Sequence, residues 1–267
     1  MGAIEHPPIV HIPGVPDHVL YTWLVMVILV GIAAASTRRL ALVPRGTQNF
    51  MEVVLEQFIQ LIDDVIGPAG RPYLPLIATL GLFILVSNLM GLVPGLISPT
   101  GNLMTNGACA IIVFCTYHYI GIKKQGLGPY LNHFSGPMPW SPGMAPIKLL
   151  MIPIEVISHF ARPLSLTLRL FGNMTGGHIL LAIIFFLMGL DGLLGWALSG
   201  SVAGMLIGGV GSLFIVAFTI GFLYPLKILV SFLQAFIFVM LTMLYISGAI
   251  EHAEHGEHGE HHANAHH

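Results

Sequence analysis

Charge is what this chain has least of. Its 267 residues include 10 Lys or Arg and 12 Asp or Glu, 8% in all, while 55% are hydrophobic. Soluble domains carry about 25% charged residues, so a soluble fold is excluded and a polytopic membrane protein is expected. The formal net charge of −2 offers nothing to a phosphate backbone, so no nucleic-acid partner is expected. Cysteine is nearly absent. Cys109 and Cys115 are six residues apart in one expected helix, a rise of about 9 Å that no disulfide bridges; they read as small apolar fillers. The opening MGAIEHPPIVHIPGVPDH has no basic start, so no signal peptide is expected, and MGAIEH lacks the Ser or Thr of a myristoylation motif. There is no H-E-x-x-H, no phosphate loop and no nucleophile elbow. The chain therefore does not read as an enzyme by itself, and no cofactor and no metal centre are expected. Histidine is plentiful, but seven of the fourteen lie in the last sixteen residues. That tail, 251–267, reads as solvated and disordered, with weak binding of divalent metal as the alternative.

What remains is long, uncharged helix. Residues 1–18 form a polar, Pro-rich outer segment. Residues 19–37 supply a first span ending at Arg38, Arg39 and Arg45, a basic cluster that marks the cytoplasmic side and leaves the N-terminus outside. Residues 48–66 differ: Met51, Val54, Leu55, Phe58, Leu61, Ile62 and Val65 share one helical face and Glu52, Glu56, Gln60 and Asp63 the other. That pattern predicts an amphipathic helix on the membrane surface, with Asn49 and Glu52 as a capping box and Gly67-Pro68 as its stop. Its acidic face is unusual for binding anionic lipid, so a protein neighbour is an alternative support. From Pro72 to Ile122 no Asp, Glu, Lys or Arg occurs. Such a run is too long for one span, and VPGLISPTGN (93–102) supplies a turn, so 73–122 folds as a helical hairpin returning to Lys123-Lys124. A Gly/Pro-rich cytoplasmic loop follows at 125–146. Residues 147–250 then form two helices too long for a perpendicular crossing, a tilted hairpin with Pro163 and Pro225 as candidate bends. The expected fold is all-α and polytopic, with about five transmembrane helices and one surface helix. The C-terminus falls inside.

One residue in the long pair defies its surroundings. Arg169 lies in PLSLTLRLFGNMTGGHILLAIIFFLMGL (163–190). A fixed charge at membrane depth costs roughly 2.5–3.5 kcal/mol on the lenient insertion scale, and arginine cannot shed its proton. At 100° per residue, Glu155, Arg162, Ser165, Asn173 and Gly176 fall within roughly 40° of Arg169, a polar path along one face. Gly172 and Gly176 add a small-xxx-small patch for a close neighbour. His178 points about 180° away, roughly 13 Å further along. On the last helix Lys227, Gln234 and Tyr245 share a face, with Ser231 near it. If Gln234 lies opposite Arg169, Lys227 falls beside Gly176–His178. Plainer roles stay open: an ion pair or lipid contact for Arg169, a structural pair for Glu155 and Arg162, snorkelling for Lys227, packing for His178, and interhelical bonds for Asn173 and Gln234.

At these residues the chain resembles subunit a of the F-type ATP synthases, the membrane stator beside the rotating c-ring. The resemblance is carried by IPIEVISHFARPLSLTLRLFGNMTGGHIL (152–180) and LQAFIFVMLTMLYIS (233–247), most specifically by RLFGNM and LQAFIF, with SNLMGLVPG (87–95) a weaker match. It implies that Arg169 is the essential stator arginine, an electrostatic gate facing the ring. It implies that Glu155, Ser165, Asn173 and Gln234 line or support the proton path, and that His178 stands where members carry histidine or glutamate. Members with this histidine usually carry a carboxylate where this chain has Lys227, so the usual acid–imidazole relay cannot form here. The expected function is ion translocation, of protons on this reading, through two offset half-channels. His178 and Lys227 are candidates for the outer one and Glu155 for the inner one. The implied partners are the oligomeric c-ring, peripheral-stalk b-type subunits, the rest of the ATP synthase and membrane lipid, in a bacterial inner membrane. Two rivals predict differently. A secondary transporter would use Arg169 to bind an anionic substrate without a ring, and a scaffold bundle would tolerate substitution of Arg169, His178 and Glu155.

Overall fold

The computed structural model describes residues 14–38, 40–41, 43–93, 96–126, 130, 145–188, 193–198 and 201–264. Among them only helices and their connections occur. The order is α1 (Asp17–Thr37), α2 (Thr47–Val65), a 3₁₀ segment (Pro68–Tyr73), α3 (Leu74–Met90), a 3₁₀ turn (Pro99–Gly101), α4 (Leu103–Gln125), α5 (Ala145–Met188), α6 (Leu193–Ala197), α7 (Val202–Phe218), a π turn (Thr219–Leu223) and α8 (Tyr224–Asn264). Five helices are long and apolar enough to cross a membrane, so the protein is an all-α polytopic membrane protein. Most of the loop expected at 125–146, and the linker around Asp191, lie outside the described residues.

The chain divides into two compact units. The first comprises Met1–Ile28, Phe83–Asn102 and Arg169–Phe236; the second comprises Leu29–Leu82, Leu103–Leu168 and Ile237–His267. In the first, α1 buries a single stripe through Tyr21 and Val25, while Trp23, Met26 and Val27 stay exposed, as a lipid-facing helix requires. A polar knot closes the turn after α3. Ser98 Oγ donates to the Ser87 carbonyl at 2.8 Å, Thr100 Oγ1 to Asn88 Oδ1 at 2.6 Å, and Asn88 Nδ2 to the Ser231 carbonyl at 3.3 Å. Asn88 is completely buried, and such a group is tolerable in an apolar interior only because it is bonded.

Before Pro225 the helix widens, and Tyr224 N–H donates to the Thr219 carbonyl, five residues back. Proline lacks the N–H and its ring crowds the carbonyl four residues earlier. A π turn absorbs that conflict without ending the helix. By contrast, α5 is continuous through Pro153 and Pro163.

Contact in the first unit is closest where α7 meets α6. A Cβ on Gly208 would lie 2.5 Å from the Leu193 carbonyl oxygen and 2.7 Å from Ala197 N, whereas one on Gly209 would meet nothing within 4 Å. Backbone cannot step aside as a side chain can. Gly208→Ala is therefore expected to destabilise the protein by at least about 1–3 kcal/mol, and Gly209→Ala to be neutral. Thermal unfolding of the two variants in detergent checks this.

In the second unit α2 turns its apolar face inward. Ile62 is fully buried, Phe58 reaches the open side of Gly81, and the Val65 carbonyl accepts from Ser247 Oγ at 3.3 Å. Asp63 takes a two-pronged bond from Arg71 at 2.8 and 2.9 Å, which holds its carboxyl below the ordinary carboxylate value. A lowered carboxylate pKa means that this clasp persists above the unfolded value and is lost as pH falls through the folded one. On the same acidic face Glu52 accepts from Gln48 Nε2 at 2.7 Å.

Two expectations are corrected. The start of α2 is not a capping box at Asn49. Gly46, at φ +62°, precedes the helix with no side-chain cap, and Gln48 instead exchanges two bonds of 3.1 Å with the Ala41 backbone. The tail expected to be disordered from 251 continues α8 to Asn264. A helix already nucleated extends at little further cost, and only Gly256 and Gly259 oppose it in a run of Glu, His and Ala.

Candidate functional site

The first unit gathers most of the singled-out residues where α5 (from Arg169) runs beside the start of α8. Leu170 and Met174 are buried and anchor one side of α5, so the other side is left open. Arg169, Gly172 and Gly176 are exposed there and Asn173 is half-buried. No hydrogen bond or ion pair of Arg169 to a described residue was found.

A cavity of about 290 Å³ opens beside this face. Asn173, His178, Lys227, Asn88 and Ser231 contribute its polar lining, and Gly172, Gly176 and Gly177 part of its floor. Such a volume holds several waters, and the lining supplies the partners they need. Helical spacing sets His178 opposite Arg169, yet Asn173 and His178 share one cavity. The glycines explain this: without side chains at 172, 176 and 177 the space wraps around α5. Lys227 lies over Gly177, with Cε 3.2 Å from where a Gly177 Cβ would stand. That agrees with the register in which Lys227 sits beside Gly176–His178. Gln234 is buried one turn beyond Ser231 and does not line the cavity.

The family model for the ATP synthase A chain matches residues 19–247. The chain belongs to this family. It is 48% identical over 242 residues to "ATP synthase subunit a 1" of Pelobacter propionicus, with 89% of each chain covered. It is 45% identical over 242 residues to "ATP synthase subunit a" of Geobacter sulfurreducens, again with 89% of each covered. Similarity to the subunit a of Trichlorobacter lovleyi is 45% over 240 residues, covering 88% of this chain and 87% of that one. The chain is thus a multi-pass membrane component of an ATP synthase.

The second unit holds Glu155 and Ser165. Ser165 is exposed. Glu155 Oε1 lies 3.4 Å from Nε2 of the buried His159, whose Nδ1 is 3.1 Å from Tyr117 Oη. Arg162 does not pair with Glu155 as the spacing suggests. Its guanidinium sits 5.9 Å from the Tyr117 ring centre and 5.3 Å from that of Tyr245, an arrangement in which an aromatic face answers a cation. His159, Tyr117 and Asn88 are the residues that sequence reasoning missed. Their one signal was a polar group inside an apolar helix. Among the described residues no group of three His, Cys, Asp or Glu is placed to hold a metal ion.

Proposed function

We propose that this protein is the ion-translocating stator of the ATP synthase membrane sector. On this reading it forms two offset half-channels against a c-ring, and Arg169 is the electrostatic gate between them. The supporting observation is the pairing, on one unit, of an exposed arginine with a largely apolar cavity into which Asn173, His178 and Lys227 bring polar groups. A carboxylic acid on the ring carries the proton. The permanent charge of Arg169 favours the ionised carboxylate, so the acid sheds its proton on arrival. The same charge opposes a proton crossing directly. Moving one charge through the membrane field is worth about 2.3 kcal/mol per 100 mV, energy that a leak would waste.

The cavity beside Asn173, His178 and Lys227 serves as the outer half-channel, and Glu155 marks the inner one. Ser165 and Gln234 support the path. The protein sits in a bacterial plasma membrane with its N-terminus outside and its C-terminus in the cytoplasm, beside b-type peripheral-stalk subunits. The proton is the carried ion on this reading.

The exposed small-residue strip at Gly172 and Gly176 is the expected ring contact. Cysteine at either position should cross-link to a cysteine placed near the carboxylate of the ring's hairpin subunit in intact complex, while cysteine at Gly31 on α1 should not. A chain that takes up an anionic solute in vesicles lacking any ring subunit would instead be a secondary transporter.

A further inference from the structure

The second unit contains a chain of titratable groups, none of which lines the cavity beside the Arg169 face. Tyr117 is 3% exposed and His159 7%, while the Glu155 side chain keeps 27% of its surface accessible. The three run from a buried end to an open end. Tyr117 Oη stands 3.1 Å from His159 Nδ1, and His159 Nε2 stands 3.4 Å from Glu155 Oε1. One ring nitrogen is therefore hydrogen-bonded to a phenol, and the other, which makes no hydrogen bond, faces a carboxylate 3.4 Å away. A histidine that merely ties α4 to α5 would need only one of these contacts. His118 does not compete, because its Nδ1 is bound at 2.9 Å to the Phe114 carbonyl. Arg162, stacked over Tyr117 and Tyr245, fixes the phenol at the buried end.

We infer that His159 is a proton-relaying residue of the inner path, passing protons between Tyr117 and Glu155. The inference rests on the stator reading above. In the starting state the Tyr117 hydroxyl donates to Nδ1, and Nε2–H points at the Glu155 carboxylate. A proton delivered by water to Tyr117 Oη lets the hydroxyl proton pass to Nδ1. The Nε2–H bond breaks and its proton goes to the carboxylate. The products are neutral Tyr117, an imidazole protonated on Nδ1, and a carboxylic acid at Glu155. One proton has entered at the buried end and one stands at the aqueous end, where the acid gives it to water. Exchange of the ring tautomer resets the relay, and the reverse sequence carries protons inward. Arg162 acts as a positioning residue for Tyr117.

His159→Gln keeps a polar side chain between Tyr117 and Glu155 but cannot relay. In assembled complex it should lower ATP-driven proton pumping by inverted membrane vesicles at least about tenfold, within the range ascribed to a placed acid–base group. His159→Gly should be rescued by added imidazole but not by 1-methylimidazole, which matches its shape and has one nitrogen blocked. A packing role would be rescued by both. Pumping by His159→Gln within twofold of the unaltered complex, or equal rescue by the two imidazoles, overturns the relay. Arg169→Ala in the same vesicles keeps the two failures apart. If that variant leaks while His159→Gln pumps normally, only the relay falls. If Arg169→Ala pumps with normal coupling, the stator reading falls and the relay with it.

Discussion

Arg169→Ala is expected to abolish ATP-driven proton pumping and to leave membranes permeable to protons. The guanidinium lies exposed on a helix flanked by Leu168 and Leu170, so its solvation in the membrane has to come from a partner or from water. Opposite unit charges 4 Å apart attract by about 4 kcal/mol at an effective dielectric of 20. That attraction exists only while the ring acid is ionised, and so it pulls the passing site toward release. Removing the charge removes both the pull and the electrostatic barrier between the half-channels. Each 1.4 kcal/mol taken from a barrier raises the rate about tenfold, so even a modest loss becomes a leak. Arg169→Lys should retain part of the barrier, because an ammonium keeps the charge but lacks the planar fork and loses its proton more readily when desolvated. A pH-sensitive dye in inverted vesicles reads pumping, and decay of an imposed pH gradient reads leak. Tight, coupled pumping by the alanine variant would remove Arg169 from the mechanism.

The distribution of charge made the membrane architecture readable. An uncharged run from Pro72 to Ile122 can only be buried in lipid or protein, and its Pro/Gly break had to be the hairpin turn. The face of α2 was equally legible, because periodicity reports which residues turn inward. What sequence could not supply was contact across elements. Gln48 takes over the start of α2 because Ala41 lies within reach, and nothing in the helix pattern shows that loop folding back. Glu155 meets His159, one turn away, rather than Arg162, because the aromatic rings of α4 and α8 claim the guanidinium. The shared cavity of Asn173 and His178 was hidden for a related reason. Helical angles locate side chains, whereas a cavity is made where side chains are missing, at Gly172, Gly176 and Gly177. The family resemblance pointed to α5 and α8. It could not say how Lys227 would be accommodated, which the structure answers by laying it over Gly177.

That placement gives the sharpest test of the outer half-channel. Gly177→Phe should stop pumping without causing a leak, the opposite of the arginine variant in one of its two readouts. A side chain at 177 starts 3.2 Å from Lys227 Cε, so it must grow into the cavity or displace the lysine. Either route removes water from a space of about 290 Å³ that holds only several molecules. Protons travel by exchange along such waters, so filling the space breaks the path itself. Gly177→Ala, which asks only a few tenths of an ångström from a flexible lysine, should pump at a reduced rate. The double variant Arg169→Ala with Gly177→Phe is the decisive member. If the cavity lies in series with the arginine gate, plugging it must silence the leak that loss of the gate opens. If the cavity lies off the path, the double variant leaks as freely as Arg169→Ala alone. Co-purification of the ring with each variant confirms that the comparison is made in assembled complex, and the rate of gradient decay then assigns or removes the cavity's role.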